Sequence, residues 1–178
     1  MQASDALVIR PATPADVPLI LALVRELADY EHLSHEVVAD EATFHESLFG
    51  HRAGAEAVIA ERGGAAAGFA LYFHNFSTFL GRQGLYLEDL YVRPEHRGRA
   101  VGRALLVHLA RLALQRRCGR FEWAVLDWNR PARDFYEALG ARANPAWVNY
   151  RLTGDALQRL AAGDLIVPTS AAEGPACQ

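Results

Sequence analysis

Residues 85–114 read LYLEDLYVRPEHRGRAVGRALLVHLARLAL, and the fold is decided there. Leu85 to Val92 are apolar and β-prone apart from Glu88 and Asp89, which predicts a strand. Pro94 stops it, and the polar turn Glu95-His96-Arg97-Gly98 comes next. A helix is expected from near Ala100, with Val101, Leu105, Leu109 and Leu112 on one stripe at helical spacing. The odd feature is charge. Arg93, Arg97, Arg99 and Arg103 crowd a helix start, where the macrodipole is already positive and disfavours each cation by roughly 0.3–1 kcal/mol. An anion resolves that conflict. Free N–H groups at a helix start cradle phosphate, and Gly98 and Gly102 let backbone approach such a ligand closely. The unit therefore predicts a site for a phosphate-bearing cofactor, against the plainer reading of a solvated arginine cluster.

Outward from this unit, the chain alternates strands and helices. Leu7-Val8-Ile9-Arg10 is a strand stopped by Pro11, and Thr13-Pro14-Ala15-Asp16 reads as a helix cap, a first-turn proline and an acid. Val17, Ile20, Leu21, Val24, Leu27 and Ala28 give the helix a buried stripe up to Tyr30-Glu31. Residues 32–37 form a loop, and a second helix over 40–49 turns Phe44, Leu48 and Phe49 inward. Strands over 56–61 and 67–76 flank Arg62-Gly63-Gly64, which predicts an antiparallel hairpin. A loop is expected over 77–84. After the long helix, Phe121 to Asp127 is the next strand, and a strand, helix and strand of these lengths imply a parallel, right-handed crossover. A short helix from Arg130 to Leu139, a strand from Trp147 to Leu152 and a helix over 154–162 complete the pattern. The expected fold class is α/β (α+β): one domain over 1–165 with a mixed antiparallel and parallel sheet between helices. Residues 166–178, rich in Ala, Ser, Gly and Pro, are expected to be a disordered tail.

Composition narrows the function. The chain has 178 residues, 51% hydrophobic and 22% charged, with a net charge of −3. A nucleic-acid binder needs a basic surface, which this balance does not supply. Cys118 and Cys177 make no disulfide framework. There is no signal-peptide pattern at the start and no apolar run of membrane-spanning length. The expectation is a soluble, cytoplasmic protein without membrane or nucleic-acid partners. The seven histidines (His32, His35, His45, His51, His74, His96 and His108) show no metal-ligand spacing, so no metal is expected.

Two further patches carry candidate chemistry. Glu88 and Asp89 interrupt an apolar strand, and alternation sends one toward a helix-covered face and the other toward a cleft. Their alternative is a salt bridge to a nearby arginine. Asp127-Trp128-Asn129-Arg130, followed by Phe135-Tyr136, lies past the carboxyl end of a strand, where ligands of open α/β sheets bind. Tyr136 taken alone reads rather as an inner-face residue of a short helix.

Arg97-Gly98-Arg99-Ala100-Val101-Gly102 resembles the Gln/Arg-x-x-Gly-x-Gly/Ala signature of the GCN5-related N-acetyltransferases. The Leu-Glu-Asp strand, the Asp-Trp-Asn and Phe-Tyr motifs, Val8-Ile9-Arg10-Pro11-Ala12-Thr13 and Glu26-Leu27-Ala28-Asp29-Tyr30-Glu31 are similar to its diamine (spermidine/spermine) branch. The likeness spans residues 7–162. It implies acetyl-CoA as donor and direct attack by a primary amine. Leu90, Tyr91 and Val92 would offer backbone groups to the acetyl and pantetheine part. Arg97, Gly98, Arg99, Ala100, Val101, Gly102 and Arg103 would hold the pyrophosphate, and Asn129 would contact the pantetheine arm. Tyr136 would be the general acid, Glu88 would bind or deprotonate the amine, and Tyr30 with Glu31 would hold the cationic substrate. A phenol, which titrates near pH ~10 in free solution, can give its proton to a leaving thiolate.

Two departures stand out. Ala100 occupies a position where the family has glycine, and a positive φ there would strain alanine by about 1 kcal/mol or more. The loop Arg142-Ala143-Asn144-Pro145-Ala146-Trp147 lacks the acids that grip a polyamine, which points to a smaller amine or a lysine-like amino acid. An acyl-CoA-binding module without catalysis and a protein N-acetyltransferase are the rival functions. The resemblance also implies a homodimer, for which the region of Phe73, Phe76 and Phe79 could serve as interface.

Overall fold

The structure, a computed structural model, describes residues 6–164. They fall into two compact units, one ending at Asp127 and the other beginning at Trp128.

The first unit holds a five-stranded sheet in chain order: β1 Leu7–Pro11, β2 Glu56–Arg62, β3 Ala65–Ser77, β4 Arg82–Val92 and β5 Phe121–Trp123. The first four strands are antiparallel neighbours, and β5 runs parallel to β4. β2 and β3 meet through Gly63 and Gly64, with φ of 60° and 82°. Two consecutive positive-φ residues match the twist of a two-residue hairpin, which is why glycines stand there. The helices are α1 Val17–Tyr30, α2 Glu41–Phe49 and α3 Val101–Gln115. One face of the sheet packs Ile59, Phe69, Leu71 and Tyr91 against Ile20, Leu23 and Leu27 of α1 and Leu48 of α2. α3 covers the other face and buries Val101, Leu105, Leu106, Leu109 and Ala113. At its far end, Arg116 binds Glu56, with Nη2 donating to Oε2 at 2.8 Å, and lies 5.9 Å from the centre of the Tyr72 ring.

The expected loop over 77–84 is a correction: β3 continues to Ser77 and β4 already begins at Arg82. Gly84 is a strand residue, because a Cβ there would lie 2.3 Å from Asn75 Oδ1. Strand β5 is also shorter than expected. It stops at Trp123, and residues 124–127 are not in a strand.

The second unit contains α4 Arg130–Ala138 and α5 Gly154–Ala161. Gly140, with φ of 90°, comes after α4 as a helix-ending glycine does. The strand expected over 147–152 is absent. Trp147 and Tyr150 are 71% and 94% exposed, and no described strand ladders with this segment. β-prone residues become a strand only when a neighbour takes their backbone groups. The tail expected over 166–178 lies outside the described residues.

α1 begins on a charge cluster. The buried Asp16 carboxylate accepts from the Thr13 N–H at 2.7 Å and its hydroxyl at 2.8 Å, and from both terminal nitrogens of Arg10 at 2.8 Å. Arg10 also donates to Glu61 of β2 at 2.9 Å, so one guanidinium ties the helix start to two strands. The Arg10 guanidinium holds the Asp16 carboxyl well below the usual carboxylate range. A depressed carboxyl contributes stability that is present above its unfolded pKa and is lost as pH falls. Asp16→Asn should lower stability by about 2 kcal/mol at neutral pH, and the gap should narrow below about pH 4, where the unfolded chain takes up a proton that the native carboxylate still resists. Denaturant unfolding at a series of pH values measures this, and a gap independent of pH would contradict it.

Candidate acetyl-transfer site

The site is built around an irregularity in β4. Leu85 pairs with His74 and Leu87 with Tyr72, but the next pair is Asp89 with Leu71. Glu88 is left over as an extra residue, a β-bulge. Cross-strand partners share a face of the sheet. Leu87 therefore lies on the face of Tyr72, which Arg116 at the end of α3 also reaches, while Asp89 lies with Leu71 on the face covered by α1 and α2. Unbroken alternation would have kept residues 85, 87 and 89 on one face. The bulge thus re-aims Asp89.

Asp89 is half-buried there. Burial first, then the charges of Glu88 and Glu31, push its carboxyl up to about 6. Glu31 sits just past the last residue of α1, and burial pushes its carboxyl up as well. Glu88 itself is exposed. Two further carboxylates thus act on Asp89 near the end of α1. The residues alone make both Glu88 and Asp89 candidates, and the resemblance assigns amine chemistry to Glu88 and Glu31 without giving Asp89 a role. The adjacent Glu88-Asp89 pair is a signal, but a bulge leaves no mark in a pattern of alternating residues.

The same irregularity opens an edge. β5 pairs with β4 only from Leu85 to Leu87. Beyond it, Glu88 to Val92 have β3 on one side and no described strand on the other. This edge, unpaired by any described strand, includes Leu90, Tyr91 and Val92.

β4 leads through a short 3₁₀ turn, Pro94–His96, to α3. Gly98 has φ of 71°, and open space surrounds the position of a Cβ there. Ala100 is the residue before the helix, left-handed at φ 62°, and no side chain caps the helix start. Gly102 faces β4, where a Cβ would be 3.7 Å from Val92 and 3.8 Å from Leu90. The four arginines divide. Arg93 is structural, gripping both Glu26 oxygens at 3.1 and 2.7 Å. Arg97 donates from Nε to the Val92 carbonyl at 2.9 Å. Arg99 and Arg103 are exposed and pair with no carboxylate among the described residues. An uncapped helix start beside two such arginines and an open glycine turn fits a diphosphate.

Tyr30, Glu31, Glu88, the β4 edge and residues 97–103 all belong to the first unit. Asn129 and Tyr136 lie together on the second. Asn129 is buried, and its Oδ1 accepts from the Ala132 N–H at 3.3 Å, capping α4. Tyr136 is half-buried on α4, with its ring centre 5.5 Å from that of Phe135.

Residues 21–141 match the Acetyltransferase (GNAT) family. A thialysine N-epsilon-acetyltransferase of Sus scrofa is 38% identical over 167 residues, covering 88% of this chain and 98% of that protein. An L-ornithine N5-acetyltransferase of Arabidopsis thaliana is 32% identical over 197 residues, with 85% and 86% covered. Among solved structures, an integron cassette protein from the mobile metagenome of V. cholerae superimposes with a TM-score of 0.74 at 26% identity. It covers 87% of this chain and 97% of that one.

Two measurements probe this geometry. Ala100→Gly relieves a left-handed alanine and should raise stability by about 1 kcal/mol. Asp89 has the opposite sign to Asp16: a carboxyl raised above its unfolded value costs stability as pH rises through the unfolded and then the folded pKa. Asp89→Asn should therefore stabilise the protein by about 2 kcal/mol at pH 8 and hardly at all at pH 4. Thermal unfolding of each variant at both pH values reads these effects, and a destabilised Asp89→Asn at pH 8 would refute the burial argument.

Proposed function

The chain belongs to the GNAT family and is an acetyl-CoA-dependent N-acetyltransferase, and we propose that its acceptor is the distal primary amine of a small lysine-like amino acid or short diamine. The observation that carries this reading is Asp89, a half-buried carboxyl raised to about 6 beside Glu31 and Glu88. An ammonium ion must lose its proton before it can attack a thioester. A base that titrates just below neutral pH accepts that proton while still being mostly ionised in the resting state. The neighbouring carboxylates hold the cation until it does.

The donor side uses other parts of the same unit. The β4 edge from Leu90 to Val92, unpaired by any described strand, serves the acetyl and pantetheine portion, and residues 97–103 serve the diphosphate. A strand N–H such as that of Leu90 meets the carbonyl oxygen as charge builds on it. Once Asp89 has taken the ammonium proton, directly or through Glu88 and water, the amine nitrogen bonds to the acetyl carbon, the carbon–sulfur bond breaks, and the second proton lost by the nitrogen passes through water to replace the one that Tyr136 gives up. Tyr136 protonates the departing thiolate. Asn129 lends its unused amide group to the pantetheine arm while its oxygen caps α4. The names of the relatives support an amino-acid acceptor, and so does the absence of any carboxylate from Arg142 to Trp147.

The family match runs across both units, which supports one N-acetyltransferase domain over 1–165. A cytoplasmic homodimer completes the proposal. Phe76 and Phe79, 60% and 92% exposed around the β3–β4 turn, support the dimer. Among the described residues no helix is long and apolar enough to cross a membrane.

Thiol release from acetyl-CoA across a panel of amino acids, diamines and polyamines tests the reading. Tyr136→Phe and Asp89→Asn should each lower kcat by about 10²–10⁴-fold with the best acceptor. For the unaltered protein, kcat/KM should climb as Asp89 deprotonates through about pH 6, and that limb should vanish in Asp89→Asn. Retention of full activity and of the limb by Asp89→Asn would remove Asp89 from the mechanism.

A further inference from the structure

Arg97 is placed in a way that its position in the diphosphate turn does not explain. Its guanidinium carbon lies 4.8 Å from the ring centre of Tyr30 and 5.7 Å from that of Tyr91. Its Nε is spent on the Val92 carbonyl. Two aromatic contacts and one hydrogen bond therefore fix the plane of the group, as stacked arginines are fixed. Among the described residues no carboxylate pairs with it, and neither Nη1 nor Nη2 has a hydrogen-bond partner. Four of the five guanidinium N–H donors are thus held in place and unused. Tyr30, on which the group rests, is followed by Glu31, whose charge reaches Asp89. The end of α1 consequently has carboxylates at one residue and a cation at its neighbour.

We propose that Arg97 receives the carboxylate of an amino-acid acceptor through Nη1 and Nη2, and that this contact makes the site selective for lysine-like amino acids over diamines. The inference rests on the acetyl-transfer reading above and specifies its acceptor. An amino acid with a distal amine carries an ammonium ion at one end and a carboxylate near the other. The acids at Glu31, Glu88 and Asp89 attract the first and repel the second, whereas Arg97 does the reverse. A diamine meets attraction at the acids and like-charge repulsion at Arg97, so discrimination has both a favourable and an unfavourable element. The guanidinium fork matches a carboxylate with two parallel N–H···O bonds, which a lysine ammonium cannot reproduce.

The test compares L-ornithine with putrescine, the same chain without the carboxylate. The unaltered protein should prefer ornithine in kcat/KM. In Arg97→Gln the ornithine-to-putrescine ratio should fall about 10- to 100-fold, mainly through the KM for ornithine, with Arg97→Lys in between. Using the ratio cancels any loss of donor affinity common to both acceptors. L-ornithine methyl ester, whose carboxylate is neutralised, should show a comparable rise in KM with the unaltered protein, which needs no variant to fold. A ratio unchanged in an active Arg97→Gln, or an ester as good as ornithine, would overturn the inference and return Arg97 to the donor turn alone. Absence of turnover with every small amine in the unaltered protein would overturn the acetyl-transfer reading and this one together.

Discussion

A β-ladder sends successive side chains to opposite faces of a sheet, and β4 obeys that rule up to Leu87 before inserting one residue, Glu88, that β3 does not match. The site on the first unit depends on that insertion. It turns Asp89 toward α1, where apolar surroundings and Glu31 act on it. It also leaves Tyr91 opposite Phe69 in the core, with Leu90 and Val92 toward α3. The ladder to β5 stops at the same place, so the strand that presents an acid on one face also exposes its backbone along one edge. On the proposed chemistry, the two halves of the reaction meet where β4 gains one unmatched residue.

The second constraint is the start of α3. A helix that begins without a cap, from a left-handed alanine and among exposed arginines, is locally unfavourable on three counts. Its remaining length is well provided, with a buried stripe on the sheet and Arg116 fastened to Glu56 at the opposite end. Local disfavour concentrated at one helix end of an otherwise consistent fold marks a functional position.

The parts that could be read from the residues are those fixed by short-range chemistry. Gly63-Gly64 specifies its hairpin, Thr13 marks a helix start, and the strand, turn and long helix around Gly98 emerge from periodicity and punctuation. The positions that could not be read depend on partners distant in the chain. Gly84 looks like a loop glycine until Asn75 is found against it. Trp147 to Leu152 has the composition of a strand, and composition says nothing about whether a neighbouring backbone is in reach. Residues 124–127 continue an apolar run that the ladder itself does not continue. Within the site, the arginine cluster was legible as a group because like charges at a helix start are anomalous. Its division was not, since only the fold brings Glu26 to Arg93 and Tyr30 to Arg97. Asp89 was hidden for the same reason: its environment is created by an extra residue that the sequence does not announce.

The clustering of carboxylates around Asp89 bears on how a turnover ends. On the proposed chemistry the acceptor arrives as a cation and leaves as a neutral amide, so the acids that drew it in have no charge left to hold. Departure of the product then needs no ion pair with these acids to be broken. Asp89, meanwhile, is left carrying the abstracted proton, and a neutral carboxyl is the form that its half-buried position favours. Return of that proton to solvent re-arms the site, and in acidic surroundings a smaller share of the molecules is re-armed.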